Sequence, residues 1–109
     1  MTLQPSEVVP IRIDFHQASG GKVRPAAVLL DSGDSDFVAA PIRSRPQASE
    51  FDIAIEGWHA AGLNTASTVR VPKLTVLAKH EIVRRLGELN ASDRSLVAEV
   101  LRRAFSFER

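Results

Sequence analysis

The sequence predicts a mainly β chain, a small and strongly bent barrel with one C-terminal helix covering an open side. Three observations carry this. Short runs with period-two alternation recur at 11–15 and 51–55. The run Ala26-Ala27-Val28-Leu29-Leu30 has no polar alternation and suits a strand buried on both faces. One segment alone, residues 91–107, holds a helical period.

Taken in order, residues 8–15 read as a strand with Ile11, Ile13 and Phe15 on one side and Arg12 and Asp14 on the other. Pro10 lacks a donor and points to an edge position or a bulge near its start. Residues 26–30 form a central strand, and the Asp- and Ser-rich residues 31–36 around Gly33 form a turn. Residues 37–42 are the next strand, and residues 43–50 a polar loop containing Pro46, of a length that often carries function. In residues 51–55, Phe51, Ile53 and Ile55 face inward. Residues 57–62 give a single helical turn that brings Trp58 against the core or a second copy. Residues 65–71 are extended, and residues 74–77 continue the sheet beyond Pro72. Residues 79–89 fit either a helix, from their Glu and Arg content, or a strand ending in a turn, from Gly87 and the spacing of Ile82, Val83, Leu86 and Leu89. In the final helix Ser92 or Asn90 caps the start, Asp93 lies in the first turn, and Arg102 and Arg103 lie in the last turns. Leu96, Val97, Val100, Leu101, Ala104 and Phe105 make its apolar face.

A chain of 109 residues with 44% hydrophobic content fits one domain, residues 1–109, with a modest core. With no cysteine, disulfides and thiolate metal sites are excluded, and a reducing compartment fits. The first residues lack a signal pattern and no run is long enough to span a membrane, so a cytoplasmic protein is expected. His16, His59 and His80 are too scattered for a metal centre, and Gly20-Gly21-Lys22 lacks the spacing of a nucleotide-phosphate loop. No cofactor is expected.

A net charge of +1 is uninformative, but its placement is not. Up to residue 75 the cations are Arg12, Lys22, Arg24, Arg43, Arg45, Arg70 and Lys73. Every one except Arg12 lies at or beside three segments: residues 20–25, ending in Arg24-Pro25; residues 40–44, ending in Arg43-Ser44; and residues 67–74. Arginine grips two phosphate oxygens at once, so such a focus suits a phosphodiester. RNA carries its own nucleophile, the 2′-hydroxyl, and cutting it needs alignment, proton transfer and charge stabilisation without a metal. The plain alternatives are solvated loop cations, and for Arg24 a carboxylate partner such as Asp52.

In this order, Gly-Gly-Lys-Val-Arg-Pro-Ala-Ala-Val-Leu-Leu, Ala-Pro-Ile-Arg-Ser, Ser-Glu-Phe-Asp-Ile, Trp-His-Ala-Ala-Gly-Leu, residues 67–74 and Ile-Val-Arg-Arg-Leu-Gly-Glu-Leu resemble the MazF/PemK/Kid toxins of type II toxin–antitoxin modules. The resemblance runs over about residues 8–105 and is most specific at Arg24-Pro25. It implies an SH3-like (CcdB/MazF-type) barrel that acts as a homodimer, a strand within residues 79–89, and metal-independent, sequence-specific cleavage of single-stranded RNA. It also implies a cognate antitoxin whose tail fills the RNA groove. Position by position, Arg24 matches the family's Arg-Pro arginine, Ser44 its phosphate-bonding hydroxyl, and Arg70 an arginine proposed as general acid. Two residues on, where some members carry a proposed base, stands Pro72; Asp14, Glu50 and His16 are the nearest other candidates. The expected catalytic set is Arg24, Ser44 and Arg70, with His16, Lys22, Arg43, Arg45 and Lys73 binding RNA. The alternative on the same fold is an inactive module that binds RNA or an antitoxin, or a CcdB-like toxin directed at topoisomerase.

Overall fold

The computed structural model describes residues 1–13 and 22–107. His16, Asp14, Phe15 and the Gly20-Gly21 pair lie outside the described residues. The strands are β1 (Glu7–Ile13), β2 (Lys22–Leu30), β3 (Asp36–Arg43), β4 (Asp52–Ala54), β5 (Thr68–Arg70), β6 (Thr75–Ala78) and β7 (Gly87–Glu88), followed by the helix α1 (Ala91–Ala104). They form a mainly β half-barrel in the order β4-β5-β3-β2-β1-β7, with β6 also on β3 and all pairings antiparallel.

β1 is not an edge. Pro10 stands directly opposite Pro25 of β2, and its carbonyl accepts the N–H of Val83 at 2.9 Å on the other side. Its backbone faces away from β2, so the β1–β2 ladder loses no donor at that pair. β2 is longer than the apolar run suggested: Arg24 and Pro25 lie within it, paired with β1, instead of preceding it.

The sheet bends along one edge of β3. Ile42 and Arg43 pair with β5, whereas Asp36 to Ala39 pair with β6. Between them the chain makes a 3-10 turn, Val71–Lys73, with Pro72 in its first turn. Pro41 on β3 and Pro72 in the turn both lack a donor, and the ladder on this edge of β3 breaks between Ile42 and Ala39 and resumes at Thr75, as expected from the sequence.

Both faces of the sheet are covered, which is why Val8, Val9 and Ile11 are all buried despite the alternation of a strand. Val8, Ala27, Ile42, Ile53 and Val69 pack with Val97 and Val100 of α1 on one face. Val9, Ile11, Ala26, Val28, Phe37 and Ala39 close the other with Leu3. Residues 79–89 are mostly irregular, with a 3-10 turn at Lys79–Glu81, a single bridge from Ile82 to Ile11 and the two-residue β7. α1 is capped by Asn90, whose side-chain oxygen accepts the N–H of Asp93 at 2.8 Å. It ends at Ala104 instead of running to Phe107, so Phe105 is left half-exposed beyond it.

One inward assignment changes. Ile53 and Ile55 are buried, but Phe51 is only partly so, and Asp52 between them is 2% exposed. A carboxylate survives such burial only with partners, and Asp52 has three.

Candidate nucleic-acid interface

A cleft of about 570 Å³ opens where the ends of β2 and β3 meet the segments 62–67 and 84–86. Its floor is apolar, with Pro10, Pro25, Ile42, Leu63 and Leu86, and its polar rim comes from Arg24, Arg43, Ser44, Arg45 and Arg84. Two glycines let the walls close. Gly62 adopts φ +91°, which favours glycine, and a Cβ there would lie 2.7 Å from the Leu86 side chain. A Cβ on Gly87 would run into the carbonyl of Ala61.

The strand register explains the cationic focus. The β2–β3 ladder ends at the pair Ala26 and Pro41, and Arg24 and Arg43 follow two residues beyond it on their own strands. Both arginines line the cleft and also a smaller cavity of about 100 Å³ floored by Ile11, Ala26, Ala39 and Leu77. Among the described residues neither is in an ion pair. Two like charges lining one cleft repel, and an anion bound between them removes that cost. Asp52, the carboxylate partner considered for Arg24, is engaged elsewhere: it meets Arg70, its cross-strand neighbour, at 3.1 Å.

The structure therefore brings Arg24, Ser44, Arg43 and Arg45 together. Arg70 is not among the residues lining the cleft; its Nε donates to Asp52 Oδ1 and its side chain is 21% exposed. Lys22 and Lys73 are exposed but line neither cavity. Pro72 sits in the 3-10 turn, also outside the cleft. His16 falls outside the described residues. Arg84 is the cationic cleft residue that sequence reasoning missed, beside the polar Asn64 and Thr65. The Arg84-Arg85 doublet held the signal, because successive side chains of an extended segment point opposite ways. Arg84 faces the cleft, while Arg85 turns to Glu7 at 3.5 Å and to the carbonyl of Thr2.

The residues that shape the loop are themselves buried. Burial pushes the Asp52 carboxyl up, but the N–H of Ala48, the Arg70 guanidinium and the N–H of Ser49 outweigh it and leave its pKa below the ordinary carboxylate value. Thr68, 3% exposed, donates its hydroxyl to the carbonyl of Arg45 at 2.7 Å. No described helix is long and apolar enough to cross a membrane.

A bent antiparallel half-barrel with a terminal helix, and a cleft rimmed by arginines at its strand ends, define a small β protein with a cationic cleft. Residues 5–105 match the family model described as the PemK-like, MazF-like toxin of type II toxin–antitoxin systems, and the chain belongs to that family. No curated protein matches the sequence significantly. Among solved structures, the fold is similar to the Mycobacterium tuberculosis toxin MazF-mt6, with a TM-score of 0.75, 20% identity and coverage of 94% of this chain and 99% of that one. It is similar to MazE-MazF from Deinococcus radiodurans, with a TM-score of 0.79, 19% identity and 97% of each chain covered. A third structure, an endoribonuclease in complex with its cognate antitoxin from Mycobacterial species, has a TM-score of 0.70 and 16% identity, over 97% of this chain and 99% of that one.

Proposed function

We propose that this toxin is a metal-independent, sequence-specific endoribonuclease that cuts single-stranded RNA and acts as a homodimer held in check by a cognate antitoxin. The observation that carries the reading is that Arg24 and Arg43 line the same cleft, neither in an ion pair among the described residues. Family membership supports it, as do similar folds described as an endoribonuclease with its cognate antitoxin and as MazE-MazF.

In this reading the scissile phosphate lies between Arg24 and Arg43, which hold its non-bridging oxygens as negative charge grows on them. The Ser44 hydroxyl donates to the same group. The 2′-oxygen attacks phosphorus as its proton passes to water, the P–O5′ bond breaks, and the departing 5′-oxygen takes up a proton from water. The products are a 2′,3′-cyclic phosphate and a 5′-hydroxyl. Because the nucleophile and the phosphate belong to the same strand, alignment and charge stabilisation suffice. The apolar floor of Pro25, Ile42, Leu63 and Leu86 would receive splayed bases, while Arg45, Lys22, Lys73 and His16 draw the strand in. Arg70 contributes from outside the cleft, through Asp52.

Mixed-sequence single-stranded RNA with a chelator present tests this directly. The native protein should leave 2′,3′-cyclic phosphate ends at defined sequences and Arg24→Ala should not. Binding without cutting by the native protein would instead establish a non-catalytic RNA-binding module, the outcome favoured by Pro72 at the position where some members carry a proposed base.

A further inference from the structure

The end of β3 brings Arg43 to the cleft, the segment joining β3 to β4 brings Ser44 and Arg45, and two buried side chains that do not line the cleft hold that segment's backbone. Asp52 accepts the N–H groups of Ala48 at 2.8 Å and Ser49 at 3.0 Å through Oδ2, and the Arg70 guanidinium through Oδ1. The Gln47 side-chain amide donates to the Asp52 carbonyl at 2.6 Å, closing the same loop from its own side. Thr68 grips the other end by donating to the Arg45 carbonyl at 2.7 Å. These anchors share one origin in the register. Thr68 faces both Arg43 of β3 and Ala54 of β4, and Arg70, two residues along the same face of β5, faces Asp52.

A buried carboxylate costs free energy, and this one spends its hydrogen bonds on loop amides instead of on other side chains alone. A loop fixed at Arg45, Ala48 and Ser49 leaves Ser44 little freedom, and hydroxyl placement to within a fraction of an ångström is what phosphoryl chemistry requires.

We propose that Asp52 and Thr68 are positioning residues for RNA cleavage, setting Ser44 and Arg45 at the cleft through the backbone of residues 45–49, with Arg70 as the counter-ion of Asp52. This rests on the endoribonuclease reading above. A residue that only stabilised the fold would change the melting temperature and leave the folded enzyme's kcat alone; a positioning residue lowers kcat in protein that is fully folded.

The experiment is steady-state cleavage of an RNA oligonucleotide by Thr68→Val, Thr68→Ser and Asp52→Asn, below the melting temperature of each. Thr68→Val keeps the side-chain shape without the hydroxyl. Its kcat should fall about tenfold with KM changed by less than about threefold, and Thr68→Ser should recover most of the loss. Asp52→Asn should lower kcat to a similar degree and speed amide exchange at Ala48 and Ser49. Native kcat in Thr68→Val and Asp52→Asn, beside an inactive Arg24→Ala, would overturn the positioning role and leave the nuclease reading intact. A loss that Thr68→Ser does not recover would overturn it as well. A native protein that cuts no RNA would overturn both.

Discussion

Asp93, in the first turn of α1, accepts the N–H of Gly57 at 2.9 Å through one carboxylate oxygen, and the N–H of Glu56 at 3.1 Å through the other. The side chain is fully buried, so a single carboxylate ties the start of the helix to the turn that bears Trp58 and leads into the cleft wall at Gly62 and Leu63. The helix N-terminus favours a negative charge at this place.

Replacing Asp93 by Ala leaves two amides without their acceptor in a largely covered site. We expect Asp93→Ala to lose about 3 kcal/mol of stability, read from the midpoint of urea unfolding at an unchanged m-value. A loss under about 1 kcal/mol would show that water replaces the carboxylate.

Gly87→Ala tests how closely the cleft walls must approach. The added Cβ would lie 2.8 Å from the carbonyl carbon of Ala61, with backbone on both sides of the contact, so the turn must move. Overpacking of this kind costs about 1–3 kcal/mol, and the melting temperature should fall accordingly. Gly33→Ala provides the contrast: a Cβ there meets nothing within 4 Å, and its cost is limited to the strain of φ +100°.

Acid should weaken the hold on the N-terminal segment. The Leu3 N–H, the Lys79 ammonium and the Gly33 N–H together lower the Asp31 pKa from 3.8 to about 2. Because the folded-state value is the lower one, the stabilisation is complete above the unfolded value and disappears as pH falls through the folded one. Thermal unfolding should therefore show stability declining between about pH 4 and pH 2, and Asp31→Asn should flatten that decline while lowering stability at neutral pH. An identical acid profile in the variant would remove Asp31 as its source.

Arg84 faces the cleft opposite the arginines of β2 and β3, and among the described residues it makes no ion pair. Arg84→Ala should weaken single-stranded RNA binding severalfold and reduce the salt dependence of log K by about 0.7, the share of one phosphate contact. Arg85→Ala, which loses its contacts to Glu7 and Thr2, should leave that slope unchanged.

The strands that alternate and the helix that keeps its period were legible in advance because each is written in local side-chain chemistry. The strand read over 52–54 within the alternating run 51–55, and the helix that holds for Ala91–Ala104 of the expected 91–107, show this. Arg24 and Ser44, which line the cleft, were singled out in advance through the family resemblance and the placing of cations beside strand ends. Residues 79–89 were not, because their bonds run to β1 and the N-terminal segment: Val83 N–H to the Pro10 carbonyl, Leu86 N–H to the Val8 carbonyl, and Arg85 to Glu7. A pattern confined to eleven residues cannot show partners some eighty positions away.

The chain's own order of residues settled its class, its family and the Arg-Pro strand at its centre, since turn chemistry, hydrophobic period and motif are properties of neighbours. Folding alone settled which guanidiniums share the cleft. Arg24 and Arg43 line it together because the Ala26–Pro41 pairing brings their strand ends side by side, whereas Arg70 meets Asp52 because β5 lies against β4. Register across a sheet is decided by which buried faces must coincide, a condition that involves several strands at once and that no single stretch of sequence contains.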